Sequence, residues 1–279
     1  MKIIKNILVP TDFSATAHNA FEYAKMVAER LGAEITVVHV QPYLLAASEI
    51  AVPIYGGDSD ERVKEAMNEF IADKSDSDVM VKTRLTTKIE KGETVSHLVQ
   101  LSRSKNYDLI VMGMTGLQDI IDKIIGTTSL DVSNQSACPV LLIPRDTHWQ
   151  PIDRLLFAAD RSTATAKTVR SCLDWAESLT SKLFFVHVDE DPKGDYKLSE
   201  TIWEELFHRS DPTIAFEMTT INSSDTVGEL TKYADKKGID WFIFVSKHRN
   251  FWQNMIHRSI SQKVAMTTTK PILVMHLDD

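Results

Sequence analysis

The sequence predicts an α/β protein made of two tandem doubly wound domains, each a five-stranded parallel sheet with helices on both faces, Rossmann-like in plan. Three observations lead there. Short continuous apolar runs alternate with amphipathic stretches, the second half of the chain repeats the first, and a glycine-rich turn follows one of the apolar runs. A run such as Leu109-Ile-Val-Met112 is apolar at every position, as a strand buried on both faces requires, and strands of that kind separated by helices pair in parallel.

In the first half the strands are expected at residues 6–9, 35–40, 82–89, 109–112 and 139–143, with helices at 14–31, 60–73, 94–105 and 127–135. The first helix is the clearest. Ala17, Ala20, Phe21, Ala24, Val27, Ala28 and Leu31 recur three and four apart, which gives one apolar stripe, and Gly32 stops it. Pro42, Pro53, Gly56 and Gly57 mark a long loop before the second helix. In the second half the strands are expected at 154–158, 182–188, 215–221, 241–245 and 271–275.

The repeat is visible in register. Ile7-Leu-Val-Pro-Thr-Asp12-Phe-Ser14 aligns with Leu155-Leu-Phe-Ala-Ala-Asp160-Arg-Ser162, and Val38-His39-Val40 with Val186-His187-Val188, both at an offset of 148. Cys138-Pro-Val-Leu-Leu142 aligns with Lys270-Pro-Ile-Leu-Val274 at an offset of 132, so the second half lacks about sixteen residues, most of them in the part matching 41–60. The domains are therefore 1–144 and 152–279, with a linker at 145–151 between Pro144 and Pro151.

Composition limits the function. At 279 residues, 43% hydrophobic and 25% charged, the chain has the make-up of a globular protein with two ordinary cores. No apolar run approaches membrane-spanning length and the N-terminal apolar stretch is too short for a secretory signal, so the expected location is cytoplasmic, with no membrane partner. The net charge of −8 argues against general nucleic-acid binding. Cys138 and Cys172, without a CxxC or a metal-like His/Cys spacing, read as packed thiols rather than a disulfide or a zinc site.

Gly113-Met-Thr-Gly116, nine further residues and Gly126-Thr127 carry the chemistry. They sit in a strand-to-helix crossover, where a glycine has no side chain to hold an anion away and the first turn of a helix offers unpaired N–H groups. Two readings follow: a phosphate-binding loop, or plain turn and helix-start glycines. Ligands of parallel sheets lie beyond the strand carboxyl ends at the reversal of strand order, and Asp12, Val40 and Gly113 each stand at such an end.

With these motifs in place, the chain resembles the universal stress protein family in its tandem form, over nearly its whole length. Pro10-Thr11-Asp12-Phe13-Ser14, His39-Val40, Met112-Gly113-x-x-Gly116 and Gly126-Thr127-Thr128 are similar to that family's ATP-binding pattern. The resemblance implies the adenine nucleotide alpha hydrolase-like form of the fold and a regulatory role in stress tolerance. It also implies places around ATP. Pro10, Thr11 and Val40 would line the adenine, Asp12 would lie near the ribose or a Mg²⁺-bound phosphate, and Met112 and Gly113 would border the ribose and phosphates. Gly116 would let the loop close, and Gly126, Thr127 and Thr128 would donate hydrogen bonds to the phosphates.

Several of these residues have a second reading. Asp12 could cap the following helix, as Thr127 and Thr128 could cap theirs. His39 and His187 are expected to be inner histidines bonded to backbone rather than ligands. The second half departs from the pattern: Val245-Ser-Lys-His-Arg249 and His257-Arg258-Ser259 replace the glycines, so ATP is not expected there. Lys247, His248, Arg249, His257 and Arg258 gather positive charge, read either as a solvated loop or as a seat for a small anion or an acidic partner segment.

There is no GxxxxGK[ST], and Lys123 is not placed as a P-loop lysine, so a nucleotide-responsive binder is favoured over an efficient ATPase. The alternatives are a slow ATPase, a protein that phosphorylates itself on Thr127, Thr128 or Ser129, or a partner-binding protein without nucleotide. The two halves are expected to pair within one molecule, with a homodimer as a further expectation. All five tryptophans lie in the linker or the second half, so intrinsic fluorescence is expected to miss binding to the first.

Overall fold

In the computed structural model the described residues are 4–42, 57–72, 84–104, 106–114, 127–159, 165–189, 214–246 and 268–276. They form ten strands and six helices. In the first half these are β1 (Asn6–Pro10), α1 (Ala15–Leu31), β2 (Glu34–Gln41), α2 (Gly57–Ile71), β3 (Leu85–Lys91), α3 (Thr94–Arg103), β4 (Leu109–Met114), α4 (Thr127–Gln135) and β5 (Val140–Pro144). The second half has β6 (Arg154–Ala158), α5 (Ala166–Leu179), β7 (Lys182–Asp189), β8 (Phe216–Asn222), α6 (Thr226–Lys237), β9 (Trp241–Ser246) and β10 (Ile272–His276). The strand ends fall within a few residues of those read from the apolar runs.

Each half is parallel throughout, and the two are one sheet. Its order is β3-β2-β1-β4-β5-β10-β9-β6-β7-β8, joined in the middle by an antiparallel pairing that sets Ile272 against Leu142, Leu273 against Leu141 and Val274 against Val140. The sequence gives five strands per half. It does not show the join, because β5 and β10 are apolar on both faces whether their outer edge is paired or not.

Alternation along the strands divides the core into two layers, each continuous across both halves. Ile7, Val9, Ile35 and Leu109 share one layer with Leu155, Phe157, Phe185 and Trp241, under α1 and α5. Leu8, Val38 and Ile110 share the other with Leu156, Phe184 and Phe242, under Leu98 of α3, Val132 of α4 and Leu230 of α6. Each fully buried aliphatic side chain of this kind contributes about 1.5–3 kcal/mol.

Equivalent devices recur at the two offsets. Asp108 Oδ2 accepts from the N–H groups of Lys5 and Asn6, and Asp240 Oδ2 accepts from those of Asp153 and Arg154, so one carboxylate ties the start of the first strand in each half. α1 is capped by Ser14, whose Oγ accepts from Ala17 N at 3.2 Å, and ends at Gly32 with φ 65. α5 is capped by Thr165 and ends at Thr180 with φ 53, the residue matched to Gly32.

Side chains also bridge the halves. Asn19 Nδ2 donates to the carbonyls of Pro144, Arg145 and Thr147, which pins the stretch 145–151 against α1. Arg30 donates through Nε and Nη2 to Leu179 O, at the partly negative carbonyl end of α5. Both cysteines are buried free thiols, as expected, and burial pushes the Cys172 thiol well above its ordinary value. No helix among the described residues is long and apolar enough to cross a membrane.

Candidate functional site

β1 lies between β2 and β4, so the crossovers leaving β1 and β4 run to opposite sides and open a crevice at the strand carboxyl ends. A cavity of about 270 Å³ lies there. Pro10, Thr11, Asp12, Val40, Met112, Gly113 and Thr128 line it, seven of the ten residues expected from sequence. Thr127 begins α4 one residue before Thr128. Gly116 and Gly126 lie outside the described residues, as do the basic residues Lys247, His248, Arg249, His257 and Arg258.

The remaining lining includes Ser14 and His39, which stand within the quoted motifs without an assigned contact, and residues the motifs did not contain. Ser14, Thr16 and Ala17 belong to the start of α1, Thr94 and Leu98 to α3, Ser129 to α4, and Val38 and His39 to β2. In a parallel fold every helix leaving the carboxyl end of a strand starts at that same edge, so the first turns of α1, α3 and α4 converge on the cavity. That convergence is a property of topology, which no local spacing records.

The three helix starts differ in what they offer. None has an acidic residue in its first turn. α3 is closed by its own cap, because Glu93 accepts from Val95 N at 3.0 Å and Ser96 N at 2.7 Å. A bond with the Ser96 side chain first, and then these two backbone bonds, hold the Glu93 carboxyl below its ordinary range. α4 is preceded in sequence by Gly126, which has no side chain to cap it. A glycine before a helix leaves its first N–H groups to a neighbouring group or a ligand. The apolar side of the cavity is built from Val40, Met112 and the fully buried Leu98 and Val38.

Gly113 has a packing reason of its own. A Cβ there would stand 2.6 Å from the Thr16 carbonyl oxygen and 2.7 Å from Thr16 Cγ2, so the glycine lets the first turn of α1 cross close over β4. The sequence reading assigned it to bare backbone beside phosphate. The structure adds that any side chain would first meet the helix.

Asp12 does not cap α1; Ser14 does. Asp12 Oδ1 instead accepts from Ser14 N at 3.0 Å, a local turn that leaves the carboxylate exposed at the cavity mouth. Thr11 continues β1 by donating its N–H to Val38 O, and its Oγ1 accepts from Phe13 N at 2.9 Å. Phe13 holds φ 65, a left-handed conformation that costs a bulky residue about 1 kcal/mol or more. His39 Nδ1 lies 2.8 Å from Thr11 O, and since a carbonyl only accepts, this nitrogen carries the proton. His187 makes the same bond to Ala159 O at 2.9 Å. Both histidines are thus bonded to backbone, as expected. Among the described residues no group of three His, Cys, Asp or Glu is placed to hold a metal ion.

Residues 4–144 match the profile of the universal stress protein family. A universal stress protein of Methanocaldococcus jannaschii is 27% identical over 146 residues, 51% of this chain and 84% of that protein. One from Thermus aquaticus is 30% identical over 146 residues, 50% of this chain and 99% of that protein. The crystal structure of a universal stress protein from Archaeoglobus fulgidus covers 98% of this chain and 97% of its own, with a TM-score of 0.73 at 22% identity, which extends the likeness of fold over both halves. With that profile matching half of its residues, the chain belongs to the universal stress protein family.

Proposed function

We propose that the chain binds an adenine nucleotide, ATP, in the cavity of its first half, and that the nucleotide sets a conformational or association state instead of being rapidly hydrolysed. The observation that carries this reading is the convergence of Pro10, Thr11, Asp12, Val40, Met112, Gly113 and Thr128 on one cavity beside the start of α4. The apolar wall of Val40, Met112 and Leu98 suits a purine, and the α4 end suits phosphates through backbone N–H groups and the Thr128 hydroxyl. A volume of about 270 Å³ is enough for the nucleoside part, with the phosphates running toward Gly116 and Gly126.

Among the described lining residues Asp12 is the one carboxylate, exposed and with Oδ1 engaged by Ser14 N. It fits a Mg²⁺ held jointly with phosphate oxygens, and the ion would neutralise phosphate charge there. The sequence has no GxxxxGK[ST] to hold terminal phosphates as a P-loop does, which favours retention over phosphoryl transfer. We place the response in the chain as a whole, the two halves acting as one unit, with a chain-to-chain homodimer as the associated state.

The test is to denature purified protein, identify any released nucleotide by mass, and titrate the emptied protein with ATP and AMP by calorimetry. One saturable ATP site per chain, lost in Gly116→Val and Gly126→Val while the fold survives, supports the reading. Absence of both released nucleotide and ATP heat overturns it, and steady phosphate release above the blank would move the function to a slow ATPase.

A further inference from the structure

The turn between β1 and α1 is strained at Phe13, yet it presents Thr11, Asp12 and Ser14 to the cavity. Something must hold it. His39 grips it at two points: Nδ1–H donates to Thr11 O at 2.8 Å, and the imidazole stacks on the Phe13 ring with centroids 4.5 Å apart and planes 27° from parallel. Phe70 of α2 closes the far side of Phe13, edge-on at 6.0 Å.

The second half supplies a built-in comparison. His187 keeps the bond to backbone, at the same chain separation of 28 residues. In sequence, Arg161 stands in the place of Phe13 and Ala159 in that of Thr11, so the phenyl ring and the hydroxyl that accepts from the next-but-one N–H have no equivalent in that half. The histidine-to-carbonyl bond therefore belongs to the repeat. The stack and the threonine turn belong to the half with the cavity.

We propose that His39 is a positioning residue for the nucleotide, holding Thr11 and Asp12 on the cavity wall through the Thr11 carbonyl and the Phe13 ring, whereas His187 only closes the fold. This rests on the nucleotide reading above. His39 reaches the cavity as well as the turn, whereas Phe13 is not among the described lining residues, so a Phe13 variant reads positioning apart from contact. Their removal lets the turn relax out of its left-handed conformation, which carries Thr11 and Asp12 away from the adenine and ribose side.

The experiment uses the full chain as wild type, His39→Leu, Phe13→Leu and His187→Leu, each measured for ATP affinity by calorimetry and for thermal unfolding. Phe13→Leu keeps a side chain that is strained at φ 65 and deletes the ring that His39 stacks on, so it remains informative if His39→Leu fails to fold. The expected result is a loss of ATP affinity of about tenfold or more in His39→Leu and Phe13→Leu. His187→Leu should lower the melting temperature about as much as His39→Leu and leave ATP affinity within about twofold. Affinity that tracks melting temperature equally in both histidine variants, or a folded Phe13→Leu with wild-type affinity, overturns the proposal. Wild-type protein that takes up no ATP removes the parent reading and this one with it.

Discussion

The indole Nε1–H of Trp241 donates to the hydroxyl of Tyr23 at 2.7 Å, joining β9 of the second half to the middle of α1 in the first. Both side chains are buried, and Trp149 packs edge-on against the same Tyr23 ring at 5.1 Å. Tyr23→Phe would leave a buried N–H without its acceptor, at a cost of about 1–3 kcal/mol in denaturant unfolding. Burial, ahead of the opposing bond from Trp241, pushes the Tyr23 phenol well above the ordinary tyrosine value of about 10. Because the folded value is the raised one, its contribution is complete below pH about 10 and is lost as pH rises past that point. Tyr23→Phe should therefore flatten the alkaline limb of the stability profile, and an unchanged limb would refute this account.

The same cluster changes what fluorescence can report. Although the tryptophans lie in the linker and second half, Trp149 and Trp241 both meet Tyr23, two turns along the helix whose start lines the cavity. ATP at saturation should shift tryptophan emission, and Trp149→Phe should remove much of the shift. Calorimetric saturation with no change in emission would show that α1 does not respond.

Gly113→Ala puts a methyl group 2.6 Å from a backbone carbonyl, so α1 must move. The expected cost is about 1–3 kcal/mol, read as a lower denaturation midpoint. Trimming Thr16 to alanine removes Cγ2 but not the carbonyl, so the double variant should recover little. Full recovery would mean that the side chain, not the helix backbone, sets the limit.

Thr180 ends α5 in the left-handed conformation that Gly32 takes at the end of α1. Thr180→Gly should stabilise the protein by about 0.5–1 kcal/mol, and Gly32→Thr should destabilise it by a similar amount. A Cβ at Gly32 has nothing within 4 Å, so the effect would be conformational and not a clash. Melting temperatures moving in the same direction for both variants would contradict this.

Two carboxylates of the second half should respond to acid with opposite sign. Glu217 is held below its ordinary value, first by its bond from Lys237, and Asp240 is raised, first by burial. The Glu217 contribution is present above pH about 4.3 and lost as pH falls through its lowered value; the Asp240 contribution is present below about 3.9 and lost as pH rises through its raised value. Between pH about 3.5 and 7, Glu217→Gln should lose ground to wild type as pH rises, and Asp240→Asn should gain it. Parallel slopes would rule out this assignment.

Much of the fold was legible because its signals are local. Runs buried on both faces mark strands, the α1 stripe ends at a glycine, and the offset of 148 pairs His39 with His187, which make the same bond to backbone; the tie made by Asp108 and Asp240 follows the offset of 132 but carries no signal in its own neighbourhood. The cavity was legible where motif residues sit at strand ends. Thr16, Thr94 and Leu98 were not, since strand order brings those helix starts together and nothing in their own neighbourhood marks them. The role of Gly113 was half read: its lack of a side chain is in the sequence, but Thr16 as the neighbour that demands it is visible only once α1 has packed.

The antiparallel meeting of β5 and β10 gives the molecule two opposite poles. All described strands of the first half finish at one rim of the sheet and all those of the second at the other, so the cavity faces away from the carboxyl ends of the second half's strands. A nucleotide at one pole and a protein at the other would never compete for space. Anything one pole tells the other must travel through the shared interior, along a helix such as α1 that reaches from the first rim to the seam.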